Sequence, residues 1–371
     1  MEGAVDFVKN NGVVLFFGLL LITALVVMVY NAVRGNPETV KMIAKTNFET
    51  YGKVTRPTPL GISSSDKTSL CDYYMASSAY SVFPGNTPYD YISDTTITLA
   101  IKAGARLVEV DVYAGDNDVP VVGLKNETVG YDYAKNSVLF ESCCVAVANT
   151  AFNGVETPLS SDPFVFSIVF HTDKRNVIDA CGTILKNTCQ RYMLGPSYAF
   201  KGQGNKNLAL EPMTVVAGKL IIVSGGNING TEFEELVNLS WNTSNLRRLT
   251  YLQASQPYDE DELIEANRTH ITMVVPDANP DLRNNNPTIL FSYGCQWNLM
   301  NYGSLDDMME LYIGQFQQGS LVLKPEALRH KPVEAKTPVL PDPATHSFQP
   351  MATTSPIYDS NPVTGEKAII I

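Results

Sequence analysis

The stretch ARLVEVDVYAG, residues 105–115, places two carboxylates in an otherwise apolar run. Its leucine and valines are typical of a buried strand, and Glu109 and Asp111 alternate with them. Because successive side chains of a strand point to opposite faces, both acids lie on one face, roughly 7 Å apart. Two adjacent anions in a core-forming strand raise the question of what they face.

Segments of strand and helix character alternate outward from this strand, between about residues 66 and 329. Strands are expected at 73–79, 107–113, 119–124, 163–171, 219–223, 271–275 and 288–292, and helices at 95–105, 137–151, 175–192, 260–266 and 305–312. Such alternation predicts a parallel sheet covered on both faces. The length favours the α/β class in the form of a (β/α)8 TIM-type barrel.

Composition narrows the class of partner. The 371 residues carry a net charge of −11, without the clusters of Lys and Arg that phosphate backbones require, so nucleic acid is excluded as a partner. The six cysteines show no zinc or disulfide spacing, which indicates buried free thiols in a reducing compartment. Five glycosylation sequons hint at the opposite, lumenal side, although an Asn-rich chain produces such triplets by chance: Asn126, Asn229, Asn238, Asn242 and Asn267.

Residues 12–30 form an uncharged apolar run that would span roughly 28 Å as a helix, close to the hydrocarbon thickness of a bilayer. The flank at 1–11 contains acidic residues and no small-x-small cleavage site follows the run, so a retained transmembrane helix is predicted rather than a signal peptide. Basic residues lie mainly after it, which predicts a single-pass protein with its bulk on the cytosolic side. Residues 31–65 are expected to form a polar stalk and 330–371 a proline-rich extended tail.

Within this framework, YYMASSAYSV (73–82), GARLVEVDVYAGDNDVPVVGL (104–124) and DPFVFSIVFHTDK (162–174) resemble the X box of eukaryotic-type phosphoinositide-specific phospholipase C. EPMTVVAGKLIIV (211–223) resembles the end of that box. NRTHITMVVP (267–276), NNNPTILFSYGCQWNLMNYGS (284–304) and MMELYIGQFQQGSLVLKPEALR (308–329) resemble its Y box. The resemblance covers residues 66–329 and implies the barrel of that family.

In that family two histidines carry out acid–base chemistry and a Ca²⁺ assists the attack of the inositol 2-hydroxyl. Glu109 and Asp111 match two of the metal ligands, which accounts for the paired acids. The other positions differ from the family. Ala79 and Asn126 stand where the family has its catalytic histidines, and Leu124 stands where it has an accompanying histidine. Tyr80 and Val169 stand at the positions of the remaining metal ligands. The resemblance therefore implies no catalytic residue and only vestigial metal ligands, with weak residual Ca²⁺ binding as the alternative.

The positions that recognise substrate are also changed. Val223 and Gly225 replace lysines, while Met273 and Val275 replace an arginine and a tyrosine, which removes the charge-assisted bonds to inositol phosphates. These exchanges predict a drier, partly plugged barrel mouth. His171 matches a histidine that the family already carries, so we interpret it as structural. The other histidines, His270, His330 and His346, lie outside the motifs.

The leading hypothesis is a pseudoenzyme: a membrane-anchored phospholipase C-like barrel without cofactor that serves as a structural or interaction module. Its expected partners are the bilayer, through residues 12–30, and proteins, through the barrel surface and the 330–371 tail. A sharper version is a minor capsid protein of a large, membrane-containing icosahedral DNA virus, placed in the virion between the internal membrane and the capsid shell. The alternatives are a phosphodiesterase with a site rearranged around His171, Glu109 and Asp111, and a non-catalytic lipid-headgroup receptor.

Overall fold

Eight parallel strands build the barrel in chain order, in a computed structural model of the 371-residue chain. They are β1 (Ser77–Ala79), β2 (Leu107–Ala114), β3 (Phe164–Phe170), β4 (Leu220–Ser224), β5 (Leu239–Ser240), β6 (Leu246–Thr250), β7 (Ile271–Val275) and β8 (Trp297–Asn301). Each strand pairs with the next, and β8 returns to β1, whereas the described residues of β5 and β6 are not paired. The predicted (β/α)8 barrel is therefore confirmed, as a nearly closed one.

The structure describes residues 2–34, 37–55, 57–63, 67–85, 91–126, 131–132, 134–202, 207–277, 282–331, 357–360 and 367–370. The chain forms two compact units, residues 1–330 and 331–371. In the second, Ile357–Ser360 pairs antiparallel with Lys367–Ile370. The rest of the predicted tail, with His346, lies outside the described residues.

Helices follow or precede the strands as a barrel requires. They are α1 (Glu2–Arg34), α2 (Pro37–Val54), α3 (Thr95–Lys102), α4 (Phe140–Thr150), α5 (Arg175–Cys189), α6 (Met213–Val216), α7 (Tyr251–Ser255), α8 (Glu260–Thr269), α9 (Thr288–Ser292) and α10 (Asp307–Gln315). Shorter strands lie outside the barrel ring: Tyr73–Met75 pairs with Leu321–Leu323, Pro120–Gly123 with β2 and with Val138–Leu139, and Lys125–Asn126 with Tyr131–Asp132.

Two apolar layers explain why the core strands are apolar on both faces. Leu107, Val165 and Ile221 belong to the cluster that fills the barrel. Their neighbours Val108 and Phe166 join the cluster between the barrel and its helices. Since side chains alternate along a strand, Glu109 and Asp111 share the parity of Leu107 and point into the barrel.

The segment 288–292 was expected to be a strand. This prediction is wrong, because the segment forms the helix α9, in which Leu290 is buried. The strand of this region is β8, which the sequence did not reveal. Its asparagines interrupt the apolar pattern, and Asn298 and Asn301 are nevertheless buried. Asn301 is held there because its Nδ2 donates to the carbonyl of Leu282, 2.7 Å away.

The N-terminal helix α1 contains one stretch, Asn11–Ala32, that is long and apolar enough to cross a membrane. The predicted stalk at 31–65 is more than a spacer, because α2 lies within it. Val40, Ala44, Phe48 and Tyr51 are buried on one face of α2. Phe48 and Tyr51 join the same apolar cluster as residues of α3 and α10, so α2 packs along the barrel.

All six cysteines are free and buried, as expected for small apolar side chains. Two of the sequon asparagines have structural roles. Asn238 Oδ1 accepts the backbone N–H of Ile222 at 2.8 Å, and Asn267 Nδ2 donates to the carbonyl of Tyr293 at 2.8 Å. Both are buried, whereas Asn229 and Asn242 are exposed.

Candidate functional site

The candidate site lies inside the barrel, where β2, β3 and β6 approach their C-terminal ends, the end called the mouth here. The strand register places Glu109 opposite Ser167, and Ser167 opposite Val223. On the other side of the barrel, Arg248 of β6 is the register partner of Met273 on the adjacent strand β7. Parallel strands bring such residues into layers inside a barrel, so polar and apolar side chains meet at one level.

Glu109 is held by two partners. Arg248 donates from Nη1 to Oε2 at 2.5 Å and from Nη2 to Oε1 at 3.1 Å, which is a two-pronged pairing. Ser167 Oγ also donates to Glu109 Oε2, at 2.8 Å. The Glu109 residue is only 7% exposed, so its charge is balanced inside the protein.

The environment of Arg248 keeps it charged. Burial is the largest influence and lowers its pKa, but the carboxylates of Glu109 and, more weakly, Asp111 outweigh it and raise the pKa above its ordinary value. The guanidinium also lies 4.9 Å from the ring centroid of Trp241, a cation–π contact. A permanent cation therefore occupies the space in front of Glu109.

Asp111 pairs with a histidine on the adjacent strand. His171 Nε2 lies 2.7 Å from Asp111 Oδ1, and the His171 ring stacks on Tyr113 with centroids 4.7 Å apart. The backbone N–H of His171 donates to the carbonyl of Val112 at 2.9 Å. Both the ring and the backbone of His171 are thus held by residues of β2.

The positions matched to catalytic groups lie as follows. Ala79 ends β1 and is buried. Tyr80 follows it with a φ of 48°, a left-handed conformation that is unusual for a bulky residue. Val169 is half-buried in β3. Asn126 lies in the short strand Lys125–Asn126, and its side chain is outside the described residues.

The positions matched to substrate-binding groups are filled by apolar packing. Val223 and Met273 are fully buried in the cluster inside the barrel, and Val275 packs against it. At Gly225 the indole of Trp241 lies so close that a Cβ would meet its Nε1 at 2.4 Å. Trp241 therefore takes the space in which a longer side chain at position 225 would extend, and the mouth is plugged on that side.

A calcium ion does not fit this donor set. Ca²⁺ takes six to eight oxygen ligands, whereas the matched positions supply two carboxylates beside a tyrosine and a valine. One of those carboxylates, Glu109, is already neutralised by a guanidinium. Among the residues that the structure describes, no group of three or more His, Cys, Asp or Glu is arranged to hold a metal ion.

Sequence reasoning missed Arg248 and Trp241. They were missed because the strands that position them were not recognised. Trp241 directly follows β5, which is only two residues long, and Arg248 lies in β6, whose sequence LRRLT has arginines at its centre. The available signal was weak: Arg248 shares the parity of the apolar Leu246, which is buried inside the barrel. An arginine at such a position requires an internal anion, and Glu109 is one.

Comparison with known proteins agrees with this architecture. Residues 67–213 match the family model described as phosphatidylinositol-specific phospholipase C, X domain. No curated protein sequence matches the chain. Among solved structures, PLC21 from L. pealei is 18% identical with a TM-score of 0.58, and covers 74% of this chain and 39% of its own. PLC21 from S. officinalis is also 18% identical, with a TM-score of 0.58 and coverages of 73% and 38%.

These solved structures establish the fold, and this chain spans about two fifths of their length. The matched X-domain segment includes β1 to β3 and ends at the start of α6, so it contains Glu109, Asp111, Ser167 and His171. Arg248 lies beyond it, in the second half of the ring. The barrel accordingly has the same fold as these solved structures, and residues 67–213 match the X-domain family model.

Proposed function

We propose that this chain is a catalytically inactive, membrane-anchored barrel that serves as a structural or interaction module. The observation that carries the proposal is the pairing of Arg248 with Glu109. A carboxylate that accepts from a guanidinium at both oxygens and from Ser167 at one has little capacity left for a metal ion. The Arg248 guanidinium therefore occupies the position at which the Glu109 carboxylate would bind a metal ion.

The altered catalytic and substrate positions support the same conclusion. Ala79 cannot transfer a proton, and each missing acid–base group costs a factor of about 10²–10⁴ in rate. Gly225, Val223 and Met273 offer no charge to a phosphate, and Trp241 occupies adjacent space. Groups for proton transfer, for metal binding and for phosphate recognition are therefore all changed in one site, which favours a barrel without catalytic activity.

The membrane anchor is the apolar part of α1, residues 12–30 within Asn11–Ala32. In the described part of that stretch the side chains are exposed rather than packed on the barrel, as expected for a lipid-facing helix. The cytosolic placement of the barrel follows from the basic residues after the helix. A capsid partner in a virion stays a prediction, and purified particles that lack the chain would contradict it.

A rearranged phosphodiesterase is the second candidate, because the structure does bring an imidazole and a carboxylate together. His171 and Asp111 lie 2.7 Å apart beside Arg248, and such a pair can act as a general base. Against it, both carboxylates of the site already have a basic partner, Arg248 for Glu109 and His171 for Asp111, and the mouth beside them is packed with apolar side chains. We therefore rank it below the inactive barrel.

Two measurements on the full chain in nanodiscs test the proposal. We expect no hydrolysis of phosphoinositides, lysolipids or glycerophosphodiesters, with or without Ca²⁺, and no tight Ca²⁺ binding by calorimetry. Turnover that His171→Gln abolishes and Arg247→Met leaves unchanged would instead establish the rearranged enzyme. Arg247 suits as the control because it neighbours Arg248 but pairs with the exposed Glu262 outside the barrel.

A further inference from the structure

A cavity of about 570 Å³ lies next to the barrel on the hairpin that follows β2. Its floor is the small antiparallel sheet in which β2 pairs with Pro120–Gly123 and that strand pairs with Val138–Leu139. The register places Tyr113, Val121 and Leu139 in one row across the three strands, and all three line the cavity. Because paired residues of antiparallel strands share a face, this row forms one continuous, largely apolar surface.

The apolar floor is open to solvent. Leu139 is 52% exposed, and Val119, which also lines the cavity, is 43% exposed. Neighbouring apolar side chains that stay exposed in this way are typical of interaction sites. The described residues that line the cavity do not include Glu109, Asp111 or Arg248, so the cavity is distinct from the site inside the barrel.

Two exposed lysines give the cavity a positive charge that the protein as a whole lacks. Lys125 Nζ lies 5.0 Å from the ring centroid of Tyr113, and Lys135 Nζ lies 5.4 Å from that of Tyr91, so aromatic rings position both ammonium groups. Among the described residues that line the cavity, Asp116 is the one acid, whereas the whole chain carries a net charge of −11. An apolar floor with cations beside it suits an apolar anchor that has acidic neighbours.

The chain itself presents such a segment. Tyr258 lies between α7 and α8, in the connection that follows β6, and it is fully exposed. The four residues after it, 259–262, are all acidic and all exposed. An aromatic ring in this position adds nothing to the core, whereas tyrosine is enriched among the residues that dominate binding between proteins.

One copy of the chain cannot join the two features by itself. The cavity follows β2 and Tyr258 follows β6, and these strands are four positions apart in the ring of eight. The two features therefore lie on opposite sides of the barrel. A contact between two different surfaces of the same molecule is head-to-tail, so it forms between copies and can repeat from one copy to the next.

We propose that Tyr258 and the acidic residues after it, on one copy, dock into the cavity beside Lys125 and Lys135 of a second copy. The inference rests on the proposed function, since it names a second copy as the partner of the anchored interaction module. An aromatic side chain buries about 150–250 Å², well below the roughly 1,200 Å² of a stable interface. Anchoring of both copies in one bilayer raises their effective concentration, so the contact forms between membrane-bound copies rather than in dilute detergent.

Two single-cysteine variants of the full chain report on the contact. Gln256→Cys lies two residues before Tyr258 and Ser137→Cys lines the cavity; both positions are exposed, whereas the native cysteines are buried. The two variants are reconstituted together in phosphatidylcholine vesicles and treated with a short bismaleimide. We expect mixed cross-links between 256 and 137 to exceed like-with-like cross-links by at least about fivefold. Adding Tyr258→Ala to the Gln256→Cys copy should reduce the mixed product by about tenfold or more.

Asp261 tests the charge pairing. Its neighbours are less suitable, because Asp259 accepts the backbone N–H of Glu262, and Glu262 pairs with Arg247 in the same copy. Lys125→Glu on the Ser137→Cys copy should lower the mixed product, and Asp261→Lys on the other copy should restore it. Lys186→Glu, at an exposed position of α5, is the matched charge reversal and should have no effect.

The outcomes separate the docking from the anchor. Mixed pairs that cross-link no better than like pairs in vesicle-bound protein, or a mixed product that Tyr258→Ala leaves unchanged, would overturn the docking alone and assign the cavity to a different anionic partner. Failure of Asp261→Lys to restore cross-linking to Lys125→Glu would overturn the charge pairing. Protein that does not float with the vesicles would overturn the anchor, and the docking with it.

Discussion

The guanidinium of Arg248 on β6 donates to both carboxylate oxygens of Glu109 on β2, across the inside of the barrel. The two residues are 139 positions apart in the chain, so the contact forms only when both halves of the barrel close. A guanidinium differs from a bound metal ion in two respects: it has no open coordination position for a substrate oxygen, and it cannot dissociate. The Glu109 carboxylate is thereby held by side chains of the protein itself.

Removal of Arg248 should destabilise the protein. In Arg248→Met the Glu109 carboxylate, 7% exposed, would keep only Ser167 as a described side-chain donor. Loss of one partner of a buried pair costs about 3–5 kcal/mol, and the partial exposure of Arg248 reduces the expected loss to about 2–4 kcal/mol. Urea denaturation of the full chain in detergent measures this free energy of unfolding.

Two further variants control for the ion pair itself. Arg247→Met removes an exposed pair with Glu262 and should change stability by about 0–1 kcal/mol. The double variant Glu109→Leu with Arg248→Met should be less destabilised than Arg248→Met alone, because no uncompensated charge remains. Equal losses in Arg247→Met and Arg248→Met would show that the internal pairing does not have the proposed role.

Any side chain at Gly225 should disturb the mouth. A Cβ there would lie 2.4 Å from Trp241 Nε1, so Gly225→Ala must displace the indole and its contact with Arg248. Such overpacking costs about 1–3 kcal/mol. Gly195→Ala is the matched control, since no atom lies within 4 Å of its added Cβ, and it should change stability by less than about 0.5 kcal/mol. Similar thermal unfolding of both variants would contradict the plugged mouth.

Lys324 should give the protein an unusual response to alkaline pH. It is 1% exposed, its Nζ donates to the carbonyl of Asn267 at 2.9 Å, and burial lowers its pKa from 10.5 to about 8. Between these two values the unfolded chain binds more protons at this lysine than the folded protein does. Its contribution to stability therefore rises with pH across this window, by about 3 kcal/mol for a shift of this size.

The variant Lys324→Met isolates this contribution. The carbonyl of Asn267 keeps Gln296 Nε2 as a donor at 2.7 Å, so the substitution leaves no unpaired acceptor there. We expect the variant to be more stable than the unaltered chain at pH 7, and the difference to shrink by about 3 kcal/mol towards pH 10.5. The thiols of Cys143, Cys144, Cys181 and Cys189 affect both proteins alike, whereas Cys71 and Cys295, whose pKa values Lys324 lowers, contribute to the difference between them. Parallel stability curves over pH 7–10.5 would contradict the prediction.

The sequence predicted the strands whose two faces are both apolar, such as β2, β3 and β4, because burial on both sides leaves an uninterrupted apolar run. It did not predict β6 or β8, where interior or buried positions are polar. The polar groups of these strands are satisfied by partners far along the chain, as Arg248 is by Glu109 and Asn301 by Leu282. The local pattern of apolar and polar residues does not indicate which distant residues these partners are.

The stalk illustrates the same limit in a different way. Pro37 lies in the segment that was expected to form a polar stalk, but it is the first residue of α2, where a missing N–H costs nothing. The apolar stripe of α2 is visible as Val40, Ala44 and Phe48 at four-residue spacing, within a segment that is polar on average. Phe48 of this stripe packs with residues of α3 and α10, a contact that the sequence alone does not indicate.

The packing of α2 on the barrel can be weakened by removing one atom, the hydroxyl oxygen of Tyr51. Tyr51→Phe removes the hydrogen bond to the carbonyl of Tyr302 and leaves a buried acceptor with one donor fewer, at a cost of about 1–2 kcal/mol. Because the bond joins α2 to the mouth, the loss should appear as faster hydrogen exchange over 37–54, with less change in β2 and β3. Met42→Ala, at a 65% exposed position of the same helix, should leave exchange unchanged. Uniformly faster exchange in Tyr51→Phe would mean that α2 unfolds only with the whole barrel, whereas a selective increase would identify α2 as an element that detaches from the barrel separately.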